Sequence, residues 1–326
     1  MKKKISLFCL LISLLLLSFS SVSTVYAVAE DQVYLGGMPA GFTLSTRGAY
    51  VVGVCDVVTE NGIVSPSKDS DIRVGDVILY IDGYAINNSS DIETGISGRD
   101  CVTAEIVRDG DNVKKLLKPV IDMSGHYKIG VFVKDSVSGI GTVTFIKGNR
   151  FASLGHPVIN DNNEIIKITG GEVFDCRVTG VVKGERGKAG ELKGVFLKNN
   201  SIATIDKNLE SGVYGKLKGD FDYSILKKIE IGTAEIGSAS IYSTINGVVP
   251  KEYKISIVKT DNFSETKNFV IKIDDENLLN ETGGIVQGMS GSPIVQGGKL
   301  VGAVTHVFIN DPTRGFGISI NNMIDN

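Results

Sequence analysis

The chain contains no tryptophan, and its 326 residues include only three histidines, four cysteines and seven prolines. The shortages of histidine and cysteine each close off a class of function. Three histidines (His126, His156 and His306), scattered cysteines and no H-E-x-x-H pattern leave too few ligands for a catalytic zinc, so neither a metal nor a cofactor is expected. Cys9 lies in an apolar N-terminal run without the flanks of a lipid attachment site. The other three, Cys55, Cys101 and Cys176, are too few and too odd in number for a disulfide framework. Cys55 could pair with Cys101, but buried free thiols are the expected state. A basic excess is also missing: the formal net charge is −3, and beyond residue 27 there are 31 Lys and Arg against 37 Asp and Glu, which argues against a nucleic-acid partner.

What is present begins with a leader. Met1 to Lys4 is basic, Ile5 to about Phe19 is apolar, and small residues follow to Ala27 and Ala29. An apolar run of about 15 residues is shorter than the ~20 a membrane-spanning helix needs, so residues 1–29 read as a secretory signal, with an uncleaved anchor as the alternative. The remainder carries most of the 39 glycines and many Val, Ile and Thr runs, without a convincing long amphipathic helix. That pattern predicts a mainly β protein long enough for two domains, with a boundary near Pro119 to Gly125.

Residues 31–120 have the features of a PDZ domain, an α+β fold. Met38 to Leu44 has the form of a carboxylate-binding loop, in which the amides of Ala40, Gly41 and Phe42 would face a bound peptide. Ile72 to Gly83 reads as a turn, a strand and an Asp-Gly turn. Ser89 to Ile96 reads as the groove helix, with Ile92 and Ile96 one turn apart and Ser89 or Ser90 as cap. A peptide would add as a strand between loop and helix.

The second part, residues 121–326, carries the chemistry. Gly288-Met-Ser-Gly-Ser-Pro293 is a tight turn with Ser290 between two glycines, where its hydroxyl can stand clear and the amides of Gly288 and Ser290 can point at one spot as an oxyanion hole. Ile294-Val295, Gly297-Gly298 and Leu300 to Val304 then read as a hairpin. A G-x-S-G-x-P turn before such a hairpin is the arrangement of serine proteases with trypsin-like double barrels. For a base, His156 lies in Leu154-Gly-His-Pro157 after a hairpin-like segment, and its order before Ser290 is that of trypsin-like enzymes. His306 reads as structural or secondary, and His126 as exposed. The third member should be a carboxylate. Asp275 is the first choice, with Asp274 and Asp311 as competitors.

Thr282 to Val295, the continuation Gly302 to Thr313, Leu154 to Pro157 and Val182 to Glu191 together resemble the SpoIVB family of sporulation serine peptidases. The one departure noticed is Ala189, where proline would be expected. The resemblance implies a PDZ domain before a serine peptidase domain, with Ser290 as nucleophile, His156 as general base and Asp275 as acidic member. It also implies a signalling protease secreted into the space between forespore and mother cell, cutting a protein target within a membrane-protein regulatory complex, and itself, so that a sigma factor is activated. The peptide held by the PDZ domain could be a segment of the chain itself.

Two other functions compete: a catalytically dead PDZ adaptor, and a quality-control protease of the HtrA kind, which has the opposite domain order. Residues 183–193, a glycine-spaced charged stretch, read by default as a solvated hairpin tip.

Overall fold

The computed structural model describes residues 32–160, 163–219, 221–224, 226–261 and 263–326, so the expected leader lies outside the described residues. Two strands open it, β1 (Gln32–Leu35) and the 16-residue β2 (Pro39–Val54). A small α+β unit follows: the hairpin β3 (Val57–Thr59) and β4 (Gly62–Val64), the short helix α1 (Pro66–Asp69), β5 (Val77–Ile81), β6 (Tyr84–Ala85), helix α2 (Ser89–Ile96), β7 (Val102–Arg108), β8 (Asp111–Leu117) and the pair β9 (Val120–Ile121) and β10 (Tyr127–Lys128). In β7, Val102, Ala104 and Ile106 are buried at every second position, the period of a strand with one face on a core. Helix α2 covers that core with Ile92 and Ile96, and Asn88 caps it by accepting from the Asp91 amide at 2.9 Å.

The chain leaves this unit along β11 (Val131–Lys147) and continues through β12 (Arg150–Ser153), β13 (Ile168–Val182), β14 (Glu191–Leu209), β15 (Gly212–Leu217) and β16 (Lys228–Ile231). It ends with β17 (Gly237–Ser243), β18 (Lys251–Thr260), β19 (Phe269–Ile273), helix α3 (Glu276–Thr282), β20 (Pro293–Gln296), β21 (Lys299–Phe308) and β22 (Asp311–Ser319). The antiparallel pairings close twice. One circuit runs β2, β11, β12, β15, β14, β13 and back to β2. The other runs β17, β18, β19, β22, β21, β20 and back to β17. Bulges break the register in both, and the protein is mainly β, as expected.

Each circuit has its own core, Ala40, Phe42, Leu154 and Ile205 in the first and Ile241, Ile255, Met289 and Ile294 in the second. A third cluster, including Phe145, Leu300 and Ala303, lies where strands of the two circuits meet, and β1 and β16 tie them together.

The expected domain boundaries shift. Residues 39–46 of β2 pair with β11 and β13 and belong to the first circuit, whereas Ala49 to Val54 pair with β5 and the start of β11. The small unit is therefore an excursion from one strand of the circuit to the next, and does not begin at residue 31. A single strand β2 serves both, and nothing in its composition marks where one role ends.

Candidate active site

The turn at Ser290 is held by a complete set of backbone bonds. The Gln287 carbonyl accepts from the Leu192 amide at 2.8 Å, Met289 from Ser292 at 3.0 Å, and Ser290 from Thr142 at 3.0 Å. The Gly288 carbonyl accepts from the Thr142 hydroxyl at 2.9 Å, and Gly291 from the Thr144 hydroxyl at 2.8 Å. On the donor side, Gln287, Met289, Gly291 and Ser292 all give their amides to carbonyls. Among the described residues, only the amides of Gly288 and Ser290 in this run have no partner within the chain. Backbone donors away from solvent are rarely left so, and two on one turn are what an oxyanion hole requires.

Gly288 has φ +96° and Gly291 φ +90°; a Cβ on Gly291 would lie 2.2 Å from the Thr142 carbonyl oxygen. Only glycine fits there. After the turn, Gly297 (φ +58°) and Gly298 (φ +78°) make the tight connection of the expected hairpin β20–β21.

The Ser290 hydroxyl is part-buried and donates to the Thr305 carbonyl at 2.9 Å. Its neighbour Ser292 is fully buried and bonded to the Ser243 hydroxyl at 3.0 Å, out of reach of a substrate.

His156 stands at the end of β12 on a strained loop. Leu154 has φ +65°, and the Gly155 amide bonds back to the Ser153 carbonyl at 2.8 Å, the rare positive-φ form of γ-turn. A Cβ on Gly155 would lie 2.9 Å from Thr305 Cγ2. The histidine loop and the serine turn thus lean on the same residue of β21. His156 also meets His306, with ring centroids 4.8 Å apart at an interplanar angle of 41°. Burial lowers the His156 pKa from its ordinary value, offset in part by the hydrogen bond between Nδ1 and the Pro157 carbonyl at 2.8 Å. For His306 the value is about 4, through desolvation first, then the charges of His156 and Lys267; its outer edge is open to water, which limits the first of these. His126 is exposed, as expected.

Two expectations need correction. Asp275 does not hold the imidazole. It is the N-cap of α3: one carboxylate oxygen accepts from the Leu278 amide at 3.1 Å and the other from the Lys254 amide at 3.3 Å, while Nδ1 of His156 faces Pro157. The competing carboxylates are also occupied, Asp274 by Ser256 and Lys272, and Asp311 by Thr313 and Arg314. Nor do Ala40, Gly41 and Phe42 form a peptide-binding loop. They are paired on both sides, with β11 and β13; Ala40 and Phe42 are buried, and a Cβ on Gly41 would lie 2.6 Å from the ring of Phe196.

A groove does exist, elsewhere. Between Val131 and Lys134, β11 is paired with β2 on one edge only. Beside that stretch lies a cavity of about 470 Å³ lined by Ile92 and Ile96 of α2 together with Ile129, Gly130, Val131 and Val133. An unpaired strand edge facing a helix is where an extended peptide can add.

The 183–193 stretch is not a solvated tip. Gly184 donates to Thr282 at 2.8 Å and Gly187 to Ile309 at 2.8 Å, and the Gly190 carbonyl accepts from Gln287 at 2.9 Å. Its charged side chains are exposed, but its glycines brace the segment that leads into the Ser290 turn. Sequence reasoning missed this brace, and it missed Thr142 and Thr144. The signal for the threonines was available as hydroxyl residues at alternate positions of the otherwise apolar stretch from Ile140 to Ile146.

Three cysteines of the described residues are free: Cys176 is buried, which pushes its thiol up to about 11, whereas Cys55 is half-buried and Cys101 exposed, against the expectation of buried thiols. None lies in the site.

The family described as SpoIVB peptidase S55 matches residues 125–324. The PDZ domain of the SdrC-like protein from Listeria monocytogenes is similar over 28% of this chain and 93% of that one, at 28% identity and a TM-score of 0.23. No curated protein matches the chain.

Proposed function

The chain belongs to the SpoIVB peptidase S55 family of sporulation serine peptidases, which act on protein substrates, and on that footing we propose that Ser290 is its nucleophile, His156 its general base, and the amides of Gly288 and Ser290 its oxyanion hole. With Nδ1 turned to a carbonyl acceptor, the imidazole proton belongs on Nδ1 and the lone pair on Nε2. Burial keeps the ring neutral, which is the form a base needs.

On substrate binding the Ser290 proton leaves the Thr305 carbonyl for Nε2, and Oγ attacks the scissile carbonyl carbon. The resulting oxyanion takes the two unused amides. His156 then returns the proton to the leaving amine, giving an acyl-enzyme, and activates water for the second half in the same way. The Pro157 carbonyl does the orienting that a carboxylate does in a Ser-His-Asp triad, so the imidazolium formed in the transition state is stabilised by a dipole in place of a full charge.

The observation that carries this reading is the pairing of the turn, in which every carbonyl from Gln287 to Gly291 is engaged and two amides are left over. The test is labelling with a fluorophosphonate. Wild-type protein should be modified at Ser290 and Ser290→Ala should not; modification at Ser292, or none at all, would refute the assignment.

The finer reading is that of an exported signalling protease, cutting an extracytoplasmic target and itself to trigger sigma factor activation across the membranes between forespore and mother cell. The basic and apolar leader and the family support it. The edge of β11 beside α2 would take a peptide segment of the target or of the chain itself. Incubating wild type and Ser290→Ala with candidate membrane-protein substrates tests this, and indiscriminate digestion of unfolded casein would favour a quality-control role instead.

A further inference from the structure

We propose that Thr142, assisted by Thr144, is a positioning residue for the reaction, setting both the oxyanion turn and its distance from the histidine loop. The proposal rests on the assignment of Ser290 and its two amides given above. The nucleophile and the base come from different circuits, so something must fix their separation. Thr142 touches both sides. Its hydroxyl donates to Gly288 at 2.9 Å, its amide donates to Ser290 at 3.0 Å, and its carbonyl accepts from the Leu154 amide at 3.4 Å, at the γ-turn that carries His156. Thr144, two residues on, reaches the same turn and holds the Gly291 carbonyl at 2.8 Å.

Threonine here is a costly choice unless its hydroxyl is used. Thr142 is 2% exposed and Thr144 is fully buried, on a strand whose neighbouring Val143 and Phe145 are core residues. Valine would fill the same space without a polar atom to satisfy. What valine could not do is hold the carbonyls of two glycines. Gly288 and Gly291 both sit at positive φ, and peptides beside glycine rotate more freely than others. A rotation of the Gly288–Met289 peptide changes the aim of the flanking amides. The Thr142 hydroxyl opposes that rotation from across the interface between the circuits, where no residue of the turn itself can reach.

The experiment uses the whole mature chain in four forms: wild type, Thr142→Val, Thr142→Ser and Thr144→Val. The rate of Ser290 labelling by a fluorophosphonate is followed against probe concentration, and protection by phenylboronic acid, which forms a tetrahedral adduct on the serine, is measured alongside. Thr142→Val should lower the limiting labelling rate about 10- to 100-fold with little change in the concentration needed for half saturation, and weaken phenylboronic acid similarly. Thr142→Ser, which keeps the hydroxyl, should restore labelling to within a few-fold of wild type. Thr144→Val should fall between, since it holds only the far side of the turn.

A purely packing role predicts the reverse ranking, because valine preserves volume and serine leaves a cavity. Unchanged labelling of Thr142→Val, or a serine variant as impaired as the valine one, would overturn the proposal while leaving the nucleophile assignment intact. Failure of wild type to label at Ser290 would bring down both. Should Thr142→Val not fold, shown by loss of its thermal transition, Thr144→Val decides: labelling equal to wild type would refute the clamp.

Discussion

The two loops that meet at the site are built in opposite ways. The serine turn is held by hydrogen bonds, each carbonyl assigned a donor, several of them from distant strands. The histidine loop has hydrogen bonds at its flanks, from Leu154 to Thr142 and between Val158 and Asn208, but at the histidine itself it relies on backbone conformation: a left-handed Leu154, a γ-turn and burial against β21. A turn that must present two amides to a charge developing on the substrate has to be fixed in orientation, and hydrogen bonds do that. A base that must first accept a proton and then give it back needs a suitable affinity for it, and burial supplies that. The comparison makes distinct predictions for each side.

The largest effects should be common to both. Ser290→Ala and His156→Ala should each lower turnover by roughly 10⁶, measured by target cleavage, because the groups of such a site act as a unit. Ser292→Ala should retain activity and lose only stability, through the lost bond to Ser243.

Gly41→Glu comes next. It should abolish labelling and target cleavage together by unfolding the first circuit, since its side chain would run into Phe196. Retained labelling with a large loss of target cleavage would return the residue to a peptide-binding role.

The pH dependence should separate the two loops. His156 has a lowered pKa in the folded protein, so the acid limb of kcat/KM should lie below pH 6.5, the ordinary imidazole value. A histidine whose folded pKa is depressed contributes stability that is complete above its unfolded pKa and is lost as pH falls. For His306 that loss spans pH 6.5 down to about 4, and thermal unfolding of His306→Gln should accordingly be less sensitive to pH in this window than wild type. An acid limb above pH 7 would contradict the buried, neutral base.

The smallest effect concerns Asp275. Asparagine is as good an N-cap as aspartate, so Asp275→Asn should stay within a few-fold of wild-type turnover, while Asp275→Ala should cost about 1 kcal/mol of stability in thermal or denaturant unfolding. A loss of ~10⁴ in Asp275→Asn would mean that the carboxylate reaches His156 during catalysis and that the Pro157 carbonyl is not the working partner.

The same contrast explains what could be read in advance. The turns that carry Ser290 and His156 were legible because glycine and proline around a polar side chain announce a stiff turn. The mainly β class followed from Val, Ile and Thr runs, and α2 from its two isoleucines one turn apart, with the cap one residue earlier than expected at Asn88. For Asp275 the sequence leaves two uses open, because an aspartate three residues before Leu278 serves equally well as a helix cap, and composition does not distinguish them. Gly41 was misread for a related reason. Glycine marks close approach, but the approaching group was a phenylalanine from β14 and not a peptide. Thr142 and Thr144 stand out as hydroxyls in an apolar stretch, but their partners, like those of the glycines of residues 184–190, lie about a hundred residues or more away, which local pattern does not encode.

Strand β11 carries Val131 and Val133 at the edge of the groove and Thr142 and Thr144 at the nucleophile turn, without a break in the chain between them. Many multidomain proteins separate such roles by a linker, so that each part can be exchanged, lost or copied on its own. Here they share one piece of secondary structure. Deleting a single residue between Ser136 and Thr142, where the pairing with β2 is regular, would reverse the face that the threonines present, and replacing the small unit by another would require a strand entering at the same register. If the groove recognises and the turn catalyses, as proposed, the two roles are tied to one strand, and variation in what the groove accepts has to come from substitution within it, not from shuffling of domains.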